Sequence, residues 1–265
     1  MWQRGWNGMK VLRVKRWEEI GQTAAETVIG AWRTNPKLVL GLATGTTPIG
    51  FYRVLAERFR QEQLDFSGMT TFNLDEYYPI RRHHPQSFTV YMREHLFQHV
   101  NIPEEQIHML DGEAPDPGSE CRRFEAALVA AGGIDLQILG IGRNGHIGFN
   151  EPGTPFGSRT HLVALADSTI QTNSRFFRDP AEMPRHALTM GIGTILQSRK
   201  IVLLAAGEGK AEAVRRALQG EVTESLPASI LQIHPDVTLL LDEGAASLLG
   251  GEGHHAAADN PNRTP

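Results

Sequence analysis

The sequence has one cysteine, no excess of basic residues and no long apolar run, and each absence excludes a class of protein. The single cysteine, Cys121, among 265 residues excludes a disulfide framework and fits a reducing compartment. The 26 Lys and Arg residues are outnumbered by 30 Asp and Glu residues, which argues against a nucleic-acid-binding surface. No stretch approaches the ~20 apolar residues that a membrane-spanning helix needs. We therefore expect a cytoplasmic protein that binds neither nucleic acid nor membrane.

Length and composition predict one large α/β domain. The chain is 40% hydrophobic and 21% charged, which is enough for a sizeable core, and single α/β domains reach about 250 residues. The first eight residues lack the apolar segment of a signal peptide. We expect an N-terminal extension over residues 1–8, a single domain over 9–249 and a disordered tail over 250–265, where the composition is small and polar.

The stretch over residues 134–152, IDLQILGIGRNGHIGFNEP, concentrates chemically useful side chains. An apolar run over 134–139 predicts a buried strand. Four glycines follow, and Asn144, His146 and Glu151 lie among or just beyond them. Glycines allow a backbone to take positive φ and to approach a ligand. The pattern therefore predicts polar side chains at the carboxyl end of a strand, where open α/β sheets bind small molecules.

The same stretch contains the letters G-x-G-x-x-G over residues 140–145, but a dinucleotide site is not expected there. That site needs a helix to begin at the loop, so that its amino end holds the pyrophosphate. Gly148 and Pro152 interrupt any such helix, and no strand ending in an acid follows about 20 residues later. We favour a catalytic loop over a nucleotide site or a purely structural loop.

A second loop, over residues 43–48, follows the apolar strand predicted at 38–42. Its sequence, Ala-Thr-Gly-Thr-Thr-Pro, leads into a helix, with Pro48 in the first turn and Thr46 or Thr47 as the predicted cap. Backbone N–H groups, threonine hydroxyls and the helix dipole would all favour an anion here. No Gly-Lys-Ser/Thr follows, so this is not a Walker A loop. A phosphate or carboxylate site is favoured over a plain turn.

Asp75 follows a strand predicted over residues 69–74 and should reach the sheet edge at which both glycine loops lie. The alternative is that Asp75 and Glu76 merely cap or solvate a turn. His83 and His84 have no third ligand at metal-site spacing, so we predict no metal site.

Two further cations are candidate anion ligands. Arg175 lies in a polar helical segment over 168–177, a candidate mobile lid, and either faces solvent or clamps an anion. Lys210 lies where a helix begins after the strand over 200–205. A cation is disfavoured at a helix amino end unless an anion binds there, so a phosphate contact is favoured over a solvated side chain. The last strand, over 237–241, is expected to close the sheet, and a short helix over 243–249 follows it.

Several segments together resemble the glucosamine-6-phosphate deaminase family. The matching segments are GLATGTTPIG (41–50), TTFNLDEYY (70–78), HPQSFTVYM (84–92), GIGRNGHIGFNEPG (140–153), NSRFF (173–177), MGIGTIL (190–196) and the Lys210 junction. They run in family order across about residues 9–249. The related 6-phosphogluconolactonases share the fold and the first loop, but NLDEYY and GHIGFNEP resemble the deaminase versions.

The resemblance implies an open, mostly parallel sheet with helices on both faces, a modified Rossmann-like α/β fold. It implies conversion of glucosamine 6-phosphate and water to fructose 6-phosphate and ammonia in amino-sugar catabolism. No organic cofactor is implied, and the protein would be a monomer or a homo-oligomer. The rivals are a lactonase, a deaminase of another amino-sugar phosphate such as galactosamine 6-phosphate, and a non-catalytic sugar-phosphate sensor.

Residue roles follow from the resemblance. Asp75 would take the C2 proton and return it at C1, and His146, hydrogen-bonded to Glu151, would assist opening of the pyranose ring. Asn144 stands where some members have Asp, so a second carboxylate beside His146 is absent. The residues implied in substrate or phosphate binding are Thr44, Gly45, Thr46, Thr47, Gly140, Arg175 and Lys210.

A departure from the family concerns regulation. Allosteric hexameric members carry basic and serine residues just after the NEP segment, whereas this chain has Thr154, Pro155, His161 and Val163 there. We therefore expect weak or absent activation by N-acetylglucosamine 6-phosphate.

Overall fold

The computed structural model describes residues 2–4 and 8–250. The strands are β1 (Trp2–Arg4), β2 (Lys10–Val14), β3 (Val39–Leu42), β4 (Thr70–Asn73), β5 (Asp75–Tyr78), β6 (Ile107–His108), β7 (Leu136–Gly140), β8 (His161–Ala164), β9 (His186–Thr189), β10 (Lys200–Ala205) and β11 (Val237–Asp242). The helices are α1 (Trp17–Thr34), α2 (Ile49–Gln61), α3 (Phe88–His95), α4 (Pro117–Ala130), α5 (Asp167–Asn173), α6 (Ile192–Ile195) and α7 (Ala211–Gln219). Short 3-10 helices connect several of these elements.

Eight strands form the main sheet, in the order β1-β2-β11-β10-β7-β3-β4-β6. All neighbouring pairs are parallel except β1 with β2. From β3 the chain builds outward through β4 and β6, whereas β7, β10 and β11 extend the sheet on the other side of β3. The strand order therefore reverses between β3 and β7, and open α/β sheets bind ligands beyond the carboxyl ends of strands at such a point.

Helices cover both faces of this sheet, as predicted. Alternate residues of β10 divide between two apolar cores: Val202 and Leu204 pack with α1 and α2, and Leu203 packs with α4 and α7. Because side chains alternate along a strand, an unbroken apolar run such as that of β10 is typical of a strand buried on both faces.

A second sheet, of three antiparallel strands in the order β5-β9-β8, lies beyond the end of β4. The sequence interpretation ended a strand at residue 74 and did not predict a further strand over residues 75–78. They form β5, which pairs with β9 so that Asp75 lies opposite Thr189. The partner strand lies more than 100 residues away in the chain, so no local pattern indicated the pairing.

Several boundaries also differ from the sequence predictions. Strand β11 lies inside the sheet, between β2 and β10, and does not close it. Residues 243–249 form turns and not a helix, because the Asp242 carboxylate accepts from Ala245 N and also from Gly207 N across the sheet edge. Helix α4 begins at Pro117, which occupies its first turn, and Asp116 caps it.

The proposed domain limits remain predictions. Residues 2–4 of the predicted N-terminal extension pair with β2, and most of the predicted tail, from residue 251 onward, lies outside the described residues. Within the described part of the chain, every helix is too short or too polar to cross a lipid bilayer.

Candidate active site

Asp75 occupies the first position of β5, immediately beyond the end of β4. Its side chain is buried, and Oδ1 has no hydrogen-bond partner among the described residues. Burial raises the pKa of Asp75 to about 8, the neighbouring charge of Glu76 adds to the rise, and the Thr44 hydroxyl opposes it. A carboxylate of this kind is a strong base for its type and has a free oxygen with which to accept a proton.

Glu76, which follows Asp75 in the chain, has a structural role. Its carboxylate accepts hydrogen bonds from Tyr77 N, Phe88 N and Thr89 N at 2.9–3.0 Å and from the Thr89 hydroxyl at 3.3 Å. Burial raises its pKa to about 7, and these bonds act in the opposite direction. Glu76 therefore fixes the amino end of α3 to β5, and its ionised form places a negative charge beside Asp75.

The glycine-rich loop after β7 folds into a tight turn, and no helix begins in it. Gly142 N donates to His146 O at 2.9 Å, and His146 N donates to Asn144 Oδ1 at 3.2 Å. The imidazole packs directly over Gly142, where a Cβ would lie 2.4 Å from Nδ1. The predicted exclusion of a dinucleotide site agrees with this geometry, because the amino end of a helix is missing where the pyrophosphate would bind.

Glu151 lies at the centre of the polar side chains on this loop. Its Oε2 accepts from Asn144 Nδ2 at 2.7 Å, and its Oε1 accepts from the Thr169 hydroxyl at 2.5 Å. The hydrogen bond from His146 that the resemblance implied is not made, since Nδ1 lies 3.4 Å from Oε2 and has no hydrogen-bond partner among the described residues. Burial on its own would raise the pKa of Glu151, but His146 and the two hydrogen-bond donors lower it to about 2. Glu151 is thus a carboxylate at neutral pH, and it lies within ion-pair distance of the imidazole.

Gly148 brings the loop against Asp75. A Cβ at this position would lie 3.6 Å from Asp75 Oδ2 and 3.0 Å from Thr189 Oγ1, and the residue has a φ of +57°. Phe149 N donates to the same Thr189 hydroxyl at 3.0 Å, which attaches the loop to β9. Because β9 also pairs with β5, Asp75 and the loop that carries His146 are held by one strand.

The loop over residues 43–48 runs from β3 into α2, and two tyrosines hold its carbonyl groups. Tyr52 Oη donates to Ala43 O at 2.5 Å, and Tyr91 Oη donates to Gly45 O at 2.6 Å. The predicted cap by Thr46 or Thr47 was wrong: Pro48 is the N-cap, and the helix has no side-chain cap. The threonine hydroxyls are therefore not used by α2, and Gly45 and Thr46 are exposed, which leaves them accessible to an anion.

Lys210 lies just before α7. Arg143, from the loop after β7, is its neighbour in space, and the sequence interpretation did not identify this residue. The Arg143 guanidinium packs over Gly209, where a Cβ would lie 3.2 Å from Nε. Burial lowers the pKa of Lys210, and the charge of Arg143 lowers it further. Arg143 lies within the GIGRNGH segment, but its contact with Gly209 depends on the pairing of β7 with β10 and has no local signal.

The remaining predicted residues lie apart from these contacts. Gly140 ends β7 and pairs with Leu204 of β10. Arg175 is exposed on a 3-10 helix, and its guanidinium carbon lies 4.9 Å from the centre of the Phe176 ring, with none of the other predicted residues as a partner. Asn173 connects this segment to the site, since Nδ2 donates to Tyr77 Oη at 3.1 Å.

Lys210, His146, Thr46 and Asp75 thus lie just beyond the carboxyl ends of four neighbouring strands, β10, β7, β3 and β4 respectively. Neighbouring strands lie about 4.8 Å apart, so the outermost of the four are separated by roughly 14 Å at the sheet edge. Within residues 2–4 and 8–250, no three His, Cys, Asp or Glu side chains form a cluster that could hold a metal ion. The arrangement provides a base, an imidazole–carboxylate pair and a cationic end.

Comparison with known proteins gives a consistent result. Residues 15–240 match the family described as glucosamine-6-phosphate isomerases/6-phosphogluconolactonase. The chain is 48% identical over 244 residues to a protein of Thermoanaerobacter pseudethanolicus named glucosamine-6-phosphate deaminase, covering 92% of this chain and 96% of the relative. A protein of the same name from Halothermothrix orenii is 51% identical, and the match covers 91% of this chain and 100% of the relative.

Solved structures agree in fold. A structure described as a monomeric glucosamine-6-phosphate deaminase superposes with a TM-score of 0.89 at 48% identity, covering 91% of this chain and all of that one. A 6-phosphogluconolactonase from Trypanosoma cruzi superposes with a TM-score of 0.72 at 22% identity, over 90% of this chain and 96% of that one. The latter likeness concerns the fold alone.

Proposed function

The chain belongs to the glucosamine-6-phosphate deaminase family, and on this basis we propose that it converts glucosamine 6-phosphate and water to fructose 6-phosphate and ammonia. The observation that carries the proposal is the placement of a buried, proton-accepting Asp75 against the loop that holds His146 and Glu151. The alternative lactonase chemistry would not need a base positioned for abstraction of a proton next to a carbonyl.

Asp75 is the proposed base at C2. In the open-chain sugar, C2 lies next to the C1 aldehyde, so loss of its proton gives an enolamine, and return of the proton to C1 gives an imine at C2. Hydrolysis of this imine takes up one water and releases ammonia. The reaction is redox-neutral, since C1 is reduced as C2 is oxidised, and a positioned carboxylate contributes roughly 10²–10⁴-fold.

His146 is the proposed acid and base for ring opening, which moves a proton from the C1 hydroxyl to the ring oxygen. Histidine is suited to this step because it exchanges protons near neutral pH. The Glu151 carboxylate, 3.4 Å from Nδ1, is the proposed orienting group for the ring. Asn144 donates to the same carboxylate oxygen at 2.7 Å, so the amide takes part in orienting this pair although it cannot carry a charge.

The phosphate is proposed to bind at the cationic end. The loop over residues 44–47 supplies N–H groups and hydroxyls, and Lys210 supplies charge two strands away. Arg175 would reach the phosphate only if its end of the segment closes over the site, since the segment is already attached by Thr169 to Glu151 and by Asn173 to Tyr77. Phosphate binding would supply remote energy for orienting C1 and C2.

The proposal also covers the limits of the catalytic domain and the cellular compartment of the reaction. Residues 9–249 are the proposed catalytic domain, without a cofactor, and the net reaction is a hydrolytic deamination coupled to aldose–ketose isomerisation. A phosphorylated sugar is retained inside the cell, which supports a cytoplasmic location for the reaction.

Ammonia release from glucosamine 6-phosphate and galactosamine 6-phosphate, measured beside hydrolysis of 6-phosphogluconolactone, tests the proposal. We expect ammonia together with fructose 6-phosphate from the first substrate and no lactone hydrolysis above background. Lactone hydrolysis without ammonia release would overturn the proposal.

A further inference from the structure

We infer that Arg143 binds the phosphoryl group of the substrate together with Lys210, and so makes the position of the His146 loop depend on occupancy of the phosphate site. This inference rests on the proposed function, because it assigns a further residue to the same substrate. It identifies a residue of the catalytic loop itself as a determinant of phosphate specificity.

The first observation is the contact between Arg143 and the loop after β10. A Cβ at Gly209 would lie 3.2 Å from Nε and 3.4 Å from Nη2 of Arg143, so the guanidinium packs closely on a residue without a side chain. Lys210 is the next residue. The contact therefore places two cationic side chains, from two neighbouring loops, at the same edge of the sheet.

The second observation is the lack of an acidic partner. Among the residues that the structure describes, no carboxylate pairs with Arg143 or Lys210. Some other arginines, such as Arg93, Arg123 and Arg159, pair with carboxylates, but Arg143 differs from the remaining unpaired ones in lying beside a partly buried lysine. Two uncompensated like charges repel each other, and the repulsion is stronger where Lys210 is partly buried. A phosphate dianion between them would neutralise both and accept charge-assisted hydrogen bonds from each.

The third observation is the position of Arg143 in the chain and the sheet. Its loop follows β7, which lies between β10 and β3, so Arg143 is placed between the Lys210 loop and the threonine loop. It also lies inside the turn closed by the bond from Gly142 N to His146 O. An anion that holds Arg143 would therefore fix the turn that carries the imidazole. In this way the phosphate could influence proton transfer at the opposite end of the sugar.

Arg143→Gln tests the inference, with Arg143→Lys as the conservative variant and Arg215→Gln as the control. Arg215 is on α7, close to Lys210 in the chain, but it pairs with Glu212, so its replacement removes the same charge outside the site. The measurements are kcat and KM for glucosamine 6-phosphate and the dissociation constant of inorganic phosphate by calorimetry. Thermal melts of all variants confirm that they are folded.

We expect Arg143→Gln to weaken phosphate binding and raise KM by about 10- to 100-fold, the range for loss of a hydrogen bond to a charged group. The variant should also have a lower kcat, because bound phosphate no longer fixes the turn that carries His146. Arg143→Lys should restore phosphate binding in part but not kcat, since an ammonium group cannot hold the anion by two parallel bonds. Arg215→Gln should match the wild type in all three quantities.

Unchanged phosphate affinity in Arg143→Gln would overturn the inference, even if KM rose. Equal effects of Arg143→Gln and Arg215→Gln would overturn it as well, because they would indicate a general effect of net charge. Calorimetry with inorganic phosphate does not depend on turnover. If the wild type released no ammonia, the proposed function would fail while the assignment of Arg143 remained open to the same titration.

Discussion

Replacing Asp75 with asparagine should stabilise the folded protein at alkaline pH while it removes the proposed base. Asp75 is only 6% exposed, and Oδ1 has no partner among the described residues. Its pKa rises from 3.8 to about 8, chiefly because of burial. A difference of about 4 pKa units corresponds to roughly 5 kcal/mol of cost for holding the charged form in the folded state.

The pH dependence has a definite sign. Between pH 4 and pH 8 the folded protein keeps a proton on Asp75 that the unfolded chain releases. The free energy of unfolding therefore falls as pH rises, by about 1.4 kcal/mol per pH unit from this group. Asparagine carries no titrating proton and lacks this loss. The stability of Asp75→Asn relative to wild type should accordingly increase by roughly 4 kcal/mol between pH 5 and pH 8.

Urea unfolding of both proteins at pH 5, 6.5 and 8 measures this change. Asp116→Asn is a suitable control, because Asp116 is an exposed helix cap whose pKa is lowered by the Ser119 hydroxyl and neighbouring backbone N–H groups. It is ionised across the whole range, so its effect should not vary with pH. An Asp75→Asn effect of the same size at pH 5 and pH 8 would refute the assignment of a desolvated, high-pKa base.

Three further predictions concern the surroundings of the base and the regulation of the enzyme. Glu76→Gln removes a negative charge that raises the pKa of Asp75, so the ascending limb of the kcat/KM–pH profile should move to lower pH; a limb that stayed in place would contradict this. Thr169→Val removes the hydroxyl that donates to Glu151 at 2.5 Å, and urea unfolding should show a loss of about 1–3 kcal/mol at pH 6. Because the pKa of Glu151 is lowered from 4.5 to about 2, the stability from this charge is present at pH 6 and is lost progressively as pH falls from 4.5 towards 2, so the Thr169→Val effect should shrink at pH 2.5; an effect of constant size would count against it. Titration with N-acetylglucosamine 6-phosphate should leave the half-saturating substrate concentration unchanged within about twofold, a change of less than about 0.5 kcal/mol in coupling free energy, whereas a severalfold shift would show that activation persists.

The sheet could be predicted from the sequence because its signals are local. Unbroken apolar runs such as that of β10 indicate buried strands, and glycines and threonines mark the loops that follow them. Since the carboxyl ends of parallel strands share one edge, the sequence placed Asp75, His146 and Lys210 at that edge.

What the sequence did not predict depends on contacts between distant residues. The second sheet exists because β5 meets β9, and the position of Asp75 opposite Thr189 follows from that pairing. The hydrogen bond from Thr169 to Glu151 and the contact of Arg143 with Gly209 join residues 18 and 66 positions apart. Such contacts have no periodicity in the chain, and they set the pKa values and charges of the site.

The central claim is that Asp75 is the base that takes the C2 proton, and the activity of Asp75→Asn tests it most directly. Ammonia release from glucosamine 6-phosphate should fall by roughly 10²–10⁴-fold in Asp75→Asn, the range for loss of a positioned base, while calorimetry shows that the substrate still binds. Ammonia release at the wild-type rate by this variant would contradict the assignment of Asp75 as the base.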